Sequence, residues 1–480
     1  MLEGWPVIAP HAILALCGGL IFCLGAFWQR RPCGLLWWLA LAATLAAGLA
    51  ALGGPVSATY QGMLDVGLYG RLFTGLISLV CLLALLFLRR YAALRGFAGE
   101  ELYGLMLLAG LGMALTAGAA HWLIFFLGLE LFSICLYILL AMRKQSGEST
   151  EAGLKYFILG AVASALVVFG IALIYAAGGS MLIGPSLAAA GGTGHGALTL
   201  LGLGLVLTGL AFKLSLAPLH VWTPDVYQGT PAPITAFLAA GSKAAVMAAL
   251  VRLCAFMPGN LWTYWVLALW GLAALTMLAT NLSALREERV KRLLAYSSAA
   301  QMGYLLMALV GARYGGLVSA LFFLCAYALM DLGVFGLVTV LSPRDGDLNR
   351  LEELRGLSRR HPWLAACLAL CLLSLAGMPP TGGFVGKLFL FTSVLKAGYP
   401  VLALLGALAA AMAFYYYFKL VALMYMGQPS GGPAPAEPRQ AAGAAEALAL
   451  AAIAAALLWL AVFPAWLHGL AGAAVATLGG

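Results

Sequence analysis

Phe212-Lys-Leu-Ser-Leu-Ala-Pro218-Leu-His220-Val-Trp-Thr-Pro224-Asp225-Val-Tyr-Gln-Gly-Thr-Pro231-Ala-Pro233 separates two long apolar runs, and Gly241-Ser-Lys243 lies about halfway along the second of them. Lys213 ends the first run, which begins near Leu198. Pro218, Pro224, Pro231 and Pro233 each remove a backbone donor and disfavour continuous helix. Lysines inside apolar runs, with a helix broken beside one of them, mark a chain that handles charge away from water. Ionisable residues within a membrane span are functional candidates by default. Irregular backbone at membrane depth persists only where protein buries it or water lines it.

The composition makes this a membrane environment. Of 480 residues 64% are hydrophobic and 9% charged, against about a quarter charged in soluble domains. The expected class is an all-α integral membrane protein. The net charge of +9 does not imply nucleic acid, because most basic residues lie in short loops between apolar runs, where they report topology. The nine cysteines have no metal-ligand spacing with histidine and read as small packing residues. No haem, iron–sulfur, zinc or nucleotide motif is legible, so no cofactor is expected in this chain. Only Met1 to Val7, with Glu3, precede the first span, and they lack the basic stretch of a cleaved signal peptide.

About 20 apolar residues cross a bilayer as a helix, and fourteen such segments are predicted. They are 8–28, 34–51, 72–88, 102–119, 122–141, 154–176, a broken seventh over 198–227, 232–256, 261–285, 293–310, 315–341, a broken twelfth over 362–395, 401–426 and 447–467. The odd-numbered loops carry Arg30, Arg31, Arg89, Arg90, Arg95, Arg143, Lys144, Arg286, Arg289, Lys291, Arg292, Arg344, Arg350, Arg355, Arg359, Arg360 and Arg439, whereas the even-numbered loops hold only Arg71, Arg313 and Lys396. This asymmetry puts the odd loops in the cytoplasm and both termini outside. Leu214-Ser-Leu-Ala-Pro218 at the first break resembles Leu373-Ser-Leu-Ala-Gly377 at the second, five spans later. An odd offset reverses topology, so two inverted five-helix repeats are expected, over 101–256 and 257–427. A three-helix segment, 1–100, precedes them and a C-terminal helix, 428–480, follows. Corresponding interrupted segments point to a transport path.

Six basic residues lie within spans. Arg252 and Lys419 are near helix ends, where long stems reach the interface. Lys155, near the inner end of the sixth span, stands open between the two roles. Lys213 and Lys387 adjoin breaks and Lys243 is mid-span. A bare ammonium in hydrocarbon is costly, so a buried amine exchanges its proton readily, as a relay requires. The alternative is that each satisfies carbonyls freed by a broken helix. Glu130, midway along the fifth span, needs a partner or a proton, and Lys213 is its natural partner. Asp331 is either functional or a packing hydrogen bond. His220 and Asp225 lie at the first break, where His220 either carries protons or ties the loop down. Arg286 to Arg292 read as a solvated loop with anchoring cations.

These residues resemble the antiporter-like subunits of respiratory complex I. The likeness rests on Glu130 in its apolar helix, Lys213 before Leu-Ser-Leu-Ala-Pro-Leu-His-Val-Trp-Thr-Pro-Asp-Val-Tyr, and Gly-Ser-Lys243. It rests also on Lys291-Arg-Leu-Leu-Ala-Tyr-Ser-Ser, Gly303-Tyr304 and Ser374-Leu-Ala-Gly-Met-Pro-Pro-Thr-Gly-Gly-Phe-Val-Gly-Lys387. It spans nearly the whole chain, and within the family the Thr-Pro-Asp-Val-Tyr wording, Lys387 and the length fit the N branch. The resemblance implies a proton-translocating membrane-arm subunit of NADH:quinone oxidoreductase in a bacterial inner membrane. Its partners would be the other membrane-arm subunits, with NAD, FMN, iron–sulfur clusters and quinone in those partners. It implies that Glu130 and Lys213 form a coupling pair, that Lys243 lies on a central axis, that Lys387 is on the outlet side and that Lys155 takes part. No family residue matches Asp331. The competing expectation is a subunit of a sodium/proton antiporter or membrane-bound hydrogenase. An inert scaffold has no need of charge at three mid-membrane positions.

The charge asymmetry predicts that external thiol reagents label a cysteine added at the C-terminus but not one beside Asp345, in a background without native cysteines. The reverse labelling overturns the orientation.

Overall fold

The computed structural model describes residues 5–27, 34–95, 99–192, 196–343, 346–427 and 442–478. Cys33 and the loop cations Arg30, Arg31, Arg344 and Arg439 lie outside the described residues. The chain begins with α1 (Trp5–Phe27) and α2 (Leu35–Leu52). A small hairpin, β1 (Thr59–Tyr60) with β2 (Leu64–Asp65), leads to α3 (Leu68–Arg95), α4 (Glu101–Gly118), α5 (Trp122–Leu140) and α6 (Gly147–Gly178). After a short α7 (Ile183–Gly192) come α8 (Gly196–Lys213), α9 (Thr223–Gly229) and α10 (Ala232–Phe237). One π turn, Leu238–Ser242, joins α10 to α11 (Lys243–Phe256). Then follow α12 (Gly259–Leu285), α13 (Val290–Val310), α14 (Gly316–Leu341), the short α15 (Leu357–Arg360), α16 (Pro362–Ala376) and α17 (Gly382–Lys396). The chain closes with α18 (Pro400–Met426), α19 (Ala444–Val462) and α20 (Pro464–Ala476).

Thirteen helical runs among the described residues are long and apolar enough to cross a membrane. The twelfth expected segment is present as α16 and α17, fifteen residues each, and each is too short to cross alone. The core of the bundle is apolar, with a small set of polar side chains buried inside it. Residues 232–254 are all buried, and α13 and α14 are nearly so. The outer helices α1, α2, α6, α18 and α19 turn Leu16, Leu49, Val162, Leu404 and Leu448 outward, as a surface in contact with lipid tails requires.

Close helix approach uses glycine. A Cβ on Gly128 of α5 would stand 2.7 Å from Thr116 N, and one on Gly112 of α4 would stand 2.5 Å from Phe132 N. The two backbones therefore touch where α4 crosses α5, the arrangement by which small residues replace the hydrophobic drive that is missing between helices in lipid.

Three features depart from the sequence expectation. The last apolar segment is two helices, because Pro464, with no N–H to continue the ladder, starts α20 after the Phe463 N–H has closed α19 on Trp459 O at 2.8 Å. Helix α7, only ten residues long, lies in the connection after the sixth span. Arg252, expected to reach out to the interface, is instead buried and paired to Asp65 Oδ2 at 2.6 Å. The hairpin folds over the end of α11 and delivers that carboxylate, while the Tyr69 ring lies 5.0 Å from the guanidinium. Lys419 is exposed, as expected of a residue near a helix end.

Gly128→Val is expected to force α4 and α5 apart and to cost about 1–3 kcal/mol, the usual price of overpacking. A lowered thermal midpoint of the detergent-solubilised protein checks it, and an unchanged midpoint contradicts the close contact.

Candidate functional site

Lys213 is the last residue of α8. The helix stops there because Ser215 takes a left-handed φ of 60° and Pro218 offers no donor. The freed backbone is satisfied from neighbours: Ala217 N–H donates to Thr276 Oγ1 at 3.0 Å, and the Trp222 indole donates to Phe212 O at 3.1 Å. Lys213 is 2% exposed, and its ammonium donates to Ser133 Oγ of α5 at 2.8 Å. The rings of Phe132, Tyr137, Tyr156 and Phe212 surround it at 5.2–5.8 Å. Each such cation–ring contact is worth roughly 0.5–2 kcal/mol. Glu130, one turn before Ser133, does not touch Lys213, so the direct ion pair expected from sequence is not formed. Glu130 lies within electrostatic reach of Lys213, and its Oε1 is buried with no hydrogen-bond partner. Ser133 fills the place next to the ammonium, and Phe132 and Tyr137 wall it in.

Lys243 follows the π turn directly and donates to Ser298 Oγ of α13. Ser298 also bonds the Tyr327 hydroxyl at 2.7 Å and that of Tyr227 at 3.3 Å. Tyr327 reaches on to the Ala239 carbonyl inside the π turn at 3.4 Å. Such turns widen the helix and recur at functional sites. The Asp331 carboxylate stands beside Tyr327 and within electrostatic reach of Lys243.

Lys387, on α17, turns back to the end of α16 and donates to Leu375 O at 2.7 Å and Ala376 O at 3.1 Å. Gly377 at φ 84° ends α16 there, and a Cβ on it would come 2.7 Å from Lys387 Cδ. A cation at a helix C-terminus also meets the negative end of the dipole. Tyr304 packs its ring 4.8 Å from the Lys387 ammonium. Gln301 donates to the same Leu375 carbonyl at 3.1 Å and to Tyr417 at 3.4 Å, and Tyr417 bonds Ser297. Polar groups thus run from Lys387 through Leu375 O, Gln301 and Tyr417 to Ser297, the neighbour of the Ser298 that holds Lys243. On the other side Tyr227 bonds Ser298, and the Tyr156 ring faces Lys213.

Lys155 does not join this interior group. It is partly exposed and pairs with Glu151 at 2.6 Å and Asp225 at 2.7 Å. Asp225 also pairs with Arg292, and Arg292 with Glu287. His220 is half-buried at the first break, against Tyr296 and the Pro218 backbone. The loop expected to be solvated at 286–292 is so only in part. Lys291 is buried and donates to Thr230 O at 2.7 Å and to Asp347 Oδ2 at 2.5 Å, because the loop after α14 folds inward. Tyr91 donates to the same carboxylate and Arg95 lies 3.7 Å from it. Burial pushes the Asp347 carboxyl up, but Lys291, Tyr91 and Arg95 outweigh it and hold the group below its ordinary range.

Ser133, Ser297, Ser298, Gln301, Tyr327 and Tyr417 carry no assignment from sequence. Single hydroxyls are common in apolar helices, where they bond the preceding turn. The one available signal was Ser297-Ser298 inside the quoted Lys291-Arg-Leu-Leu-Ala-Tyr-Ser-Ser motif. Among the described residues no cluster of three or more His, Cys, Asp or Glu is arranged to hold a metal.

Residues 119–413 match the family model described as NADH:quinone oxidoreductase/Mrp antiporter, TM. That stretch contains every lysine and carboxylate of the interior group. The chain belongs to this family. It is 48% identical over 475 residues, 98% of each chain, to NADH-quinone oxidoreductase subunit N 1 of Solidesulfovibrio magneticus. It is 42% identical, again over 98% of each, to subunit N of Geobacter metallireducens. A chain of respiratory complex I from Thermus thermophilus superposes with a TM-score of 0.80 at 34% identity, covering 96% of this chain and 98% of that one. A chain of the Mrp complex from Dietzia sp. shares the fold, with a TM-score of 0.88 at 23% identity over 100% and 98%. The chain thus carries Lys213, Lys243 and Lys387 on hydroxyls and carbonyls, whereas buried Lys291 has a direct carboxylate pair.

The Asp347 cluster predicts a pH signature. With a folded pKa below the unfolded value of about 3.9, Asp347 adds stability that is present above about pH 4 and lost as pH falls through the folded value. Asp347→Asn leaves Lys291 buried without its counter-charge and is expected to cost about 3–5 kcal/mol at pH 7. Thermal midpoints should differ at pH 5 and converge only below about pH 4. A variant as stable as wild type at pH 7 contradicts the assignment.

Proposed function

We infer that the interior lysines are the stations of a proton path. The chain is a proton-translocating membrane-arm subunit of NADH:quinone oxidoreductase, a multi-pass membrane protein whose partners are the other membrane-arm subunits. The observation that carries the path is the row of buried polar groups between Lys243 and Lys387, on α13, α16 and α18, whose two parts meet at the neighbours Ser297 and Ser298. Glu130 and Lys213 form the coupling unit through Ser133, Lys243 is the central station, and Lys387 is the outlet station. Each lysine rests on groups that accept a hydrogen bond from an ammonium, and the hydroxyls among them both accept and donate. A proton can therefore be held at one site and passed when a neighbouring charge moves. Lys155 takes part from outside the line, through its link to Asp225.

Nothing in the path oxidises or reduces anything. The NAD, FMN, iron–sulfur clusters and quinone belong to partner subunits, and the drive is a conformational or electrostatic change passed on from them. We place the protein in a bacterial inner membrane with both termini on the outer side, in keeping with the loop cations. The two breaks with their shared Leu-Ser-Leu-Ala wording support two inverted repeats, 101–256 and 257–427. The antiporter reading shares the fold, whereas the nearly full-length identity to subunits named N favours the quinone-oxidoreductase assignment.

In membrane vesicles carrying the intact complex, Lys387→Ala is expected to lower quinone reduction and proton pumping together by about tenfold or more, because coupled steps stall together. Glu130→Ala and Lys213→Ala should each cut pumping far more than assembly, and the double variant less than the two losses combined. Unimpaired pumping in all three single variants would remove the path. Sodium-for-proton exchange by the isolated chain, with no larger complex recoverable, would replace it with the antiporter reading.

A further inference from the structure

Among the described residues, Glu130 and Asp331 are the two carboxylates of the membrane interior that have a buried lysine within electrostatic reach and no ion pair. Their surroundings match. Lys213 donates to Ser133, and Glu130 lies beyond with a buried, unpartnered Oε1. Lys243 donates to Ser298, and Asp331 lies beyond with a buried, unpartnered Oδ2. Asp331 is 4% exposed, at the centre of α14. Carboxylates at such depth are ordinarily paired or fully hydrogen-bonded, since burying the bare anion is costly. A purely structural aspartate would be expected to bond a helix carbonyl, a hydroxyl or a cation with both oxygens. This one leaves an oxygen free and stands one helical turn from the Tyr327 hydroxyl. Its charge reaches Lys243 on α11, Tyr227 on α9, Tyr327 on its own helix and Tyr417 on α18. These include members of the polar line on both sides of Ser297 and Ser298.

We propose that Asp331 is a second proton-holding carboxylate of the interior, taking the proton of Lys243 through Ser298 and Tyr327. The inference rests on the proton path above and adds a station to it. The step is a concerted shift along the Lys243–Ser298 and Ser298–Tyr327 contacts, completed when the Tyr327 hydroxyl turns from the Ala239 carbonyl to Asp331, one turn away on the same helix. An N–H bond of the Lys243 ammonium breaks as its proton moves to Ser298 Oγ. The Ser298 hydroxyl proton passes to the Tyr327 oxygen, and the Tyr327 proton forms an O–H bond on Asp331. An ammonium and a carboxylate become an amine and a carboxylic acid, with no net change of charge in the cluster and both hydroxyls restored. The Ser298–Tyr327 contact allows either oxygen to donate, so the shift runs both ways. The neutral Lys243 amine then accepts from Ser298 until it receives the next proton. Lys387, with carbonyls and a ring around its ammonium, has no such carboxylate among the described residues and is suited to passing its proton onward.

The test compares Asp331→Asn, Lys243→Ala and the double variant in vesicles carrying the intact complex, with NADH as donor. Quinone reduction, lumen acidification and assembly on native gels are followed together. Asp331→Asn in an assembled complex should lower reduction and pumping together about fivefold or more, and the double variant should be no worse than Lys243→Ala alone. Infrared difference spectra on turnover should lose the carbonyl stretch of one protonated aspartic acid in Asp331→Asn. Normal pumping in Asp331→Asn while Lys243→Ala stalls overturns the proposal and leaves the path intact. Normal pumping in Lys243→Ala overturns the path itself. Losses that simply add in the double variant also overturn the proposal, because independent sites add. Should Asp331→Asn fail to assemble, Asp331→Asn with Lys243→Gln decides: recovered assembly supports charge coupling, and continued failure makes Asp331 a packing residue only.

Discussion

Holding amines in an apolar bundle is the constraint around which this molecule is built. An ammonium out of water needs acceptors on all its protons or an aromatic surround, and regular helices offer neither, because their carbonyls are already taken. The chain answers by ending helices next to its lysines. The termination of α16 leaves the Leu375 and Ala376 carbonyls for Lys387, and the end of α8 turns Lys213 toward Ser133 and four rings. At Lys243 the helix is widened instead of broken, and the π turn leaves the Ala239 carbonyl to Tyr327. Three positions thus use three local devices to the same end.

A transport path also needs a frame that does not follow each charge as it moves. Helix α3 supplies one. Its 28 residues span about 42 Å at 1.5 Å per residue, and buried ion pairs hold the chain at both ends. Asp65, three residues before α3, pairs with Arg252 at the end of α11, while Arg95, its last residue, stands with Tyr91 and Lys291 around Asp347. Buried pairs of this kind are weak as net stabilisers but costly to break, so their use is in fixing position. The glycine contact between α4 and α5 does the same for the helix that carries Ser133 and Glu130.

Hydroxyls, more than charges, supply the partners of the buried lysines. Ser133, Ser298, Tyr327 and Tyr417 each accept from one neighbour and donate to another, which a lysine or a carboxylate alone cannot do. Isolated in sequence, such residues look the same as those that merely bond the preceding turn, as Thr116 does to Gly112 at 2.8 Å. Lys213, Lys243 and Lys387 were legible because a lysine in an apolar run is rare and expensive. The serines and tyrosines were not, because a hydroxyl costs a helix almost nothing and so leaves no mark.

Membrane class, the apolar runs, the two interruptions and the burial of Lys213, Lys243 and Lys387 follow from composition and spacing alone, since bilayer thickness sets the length of a span and proline and glycine set where it breaks. Partnership does not follow, because it depends on which helix faces are brought together by residues far apart in the chain. Only the packing brought Ser133 to Lys213 and drew Lys155 out to Asp225. Only the fold of the hairpin brought Asp65 to Arg252, turning an expected interfacial cation into a buried anchor. Asp331 gained its neighbours in the same way: Tyr327 is one turn away on its own helix, but Lys243 is 88 residues distant and reaches it only because α11 and α14 meet at the centre of the bundle.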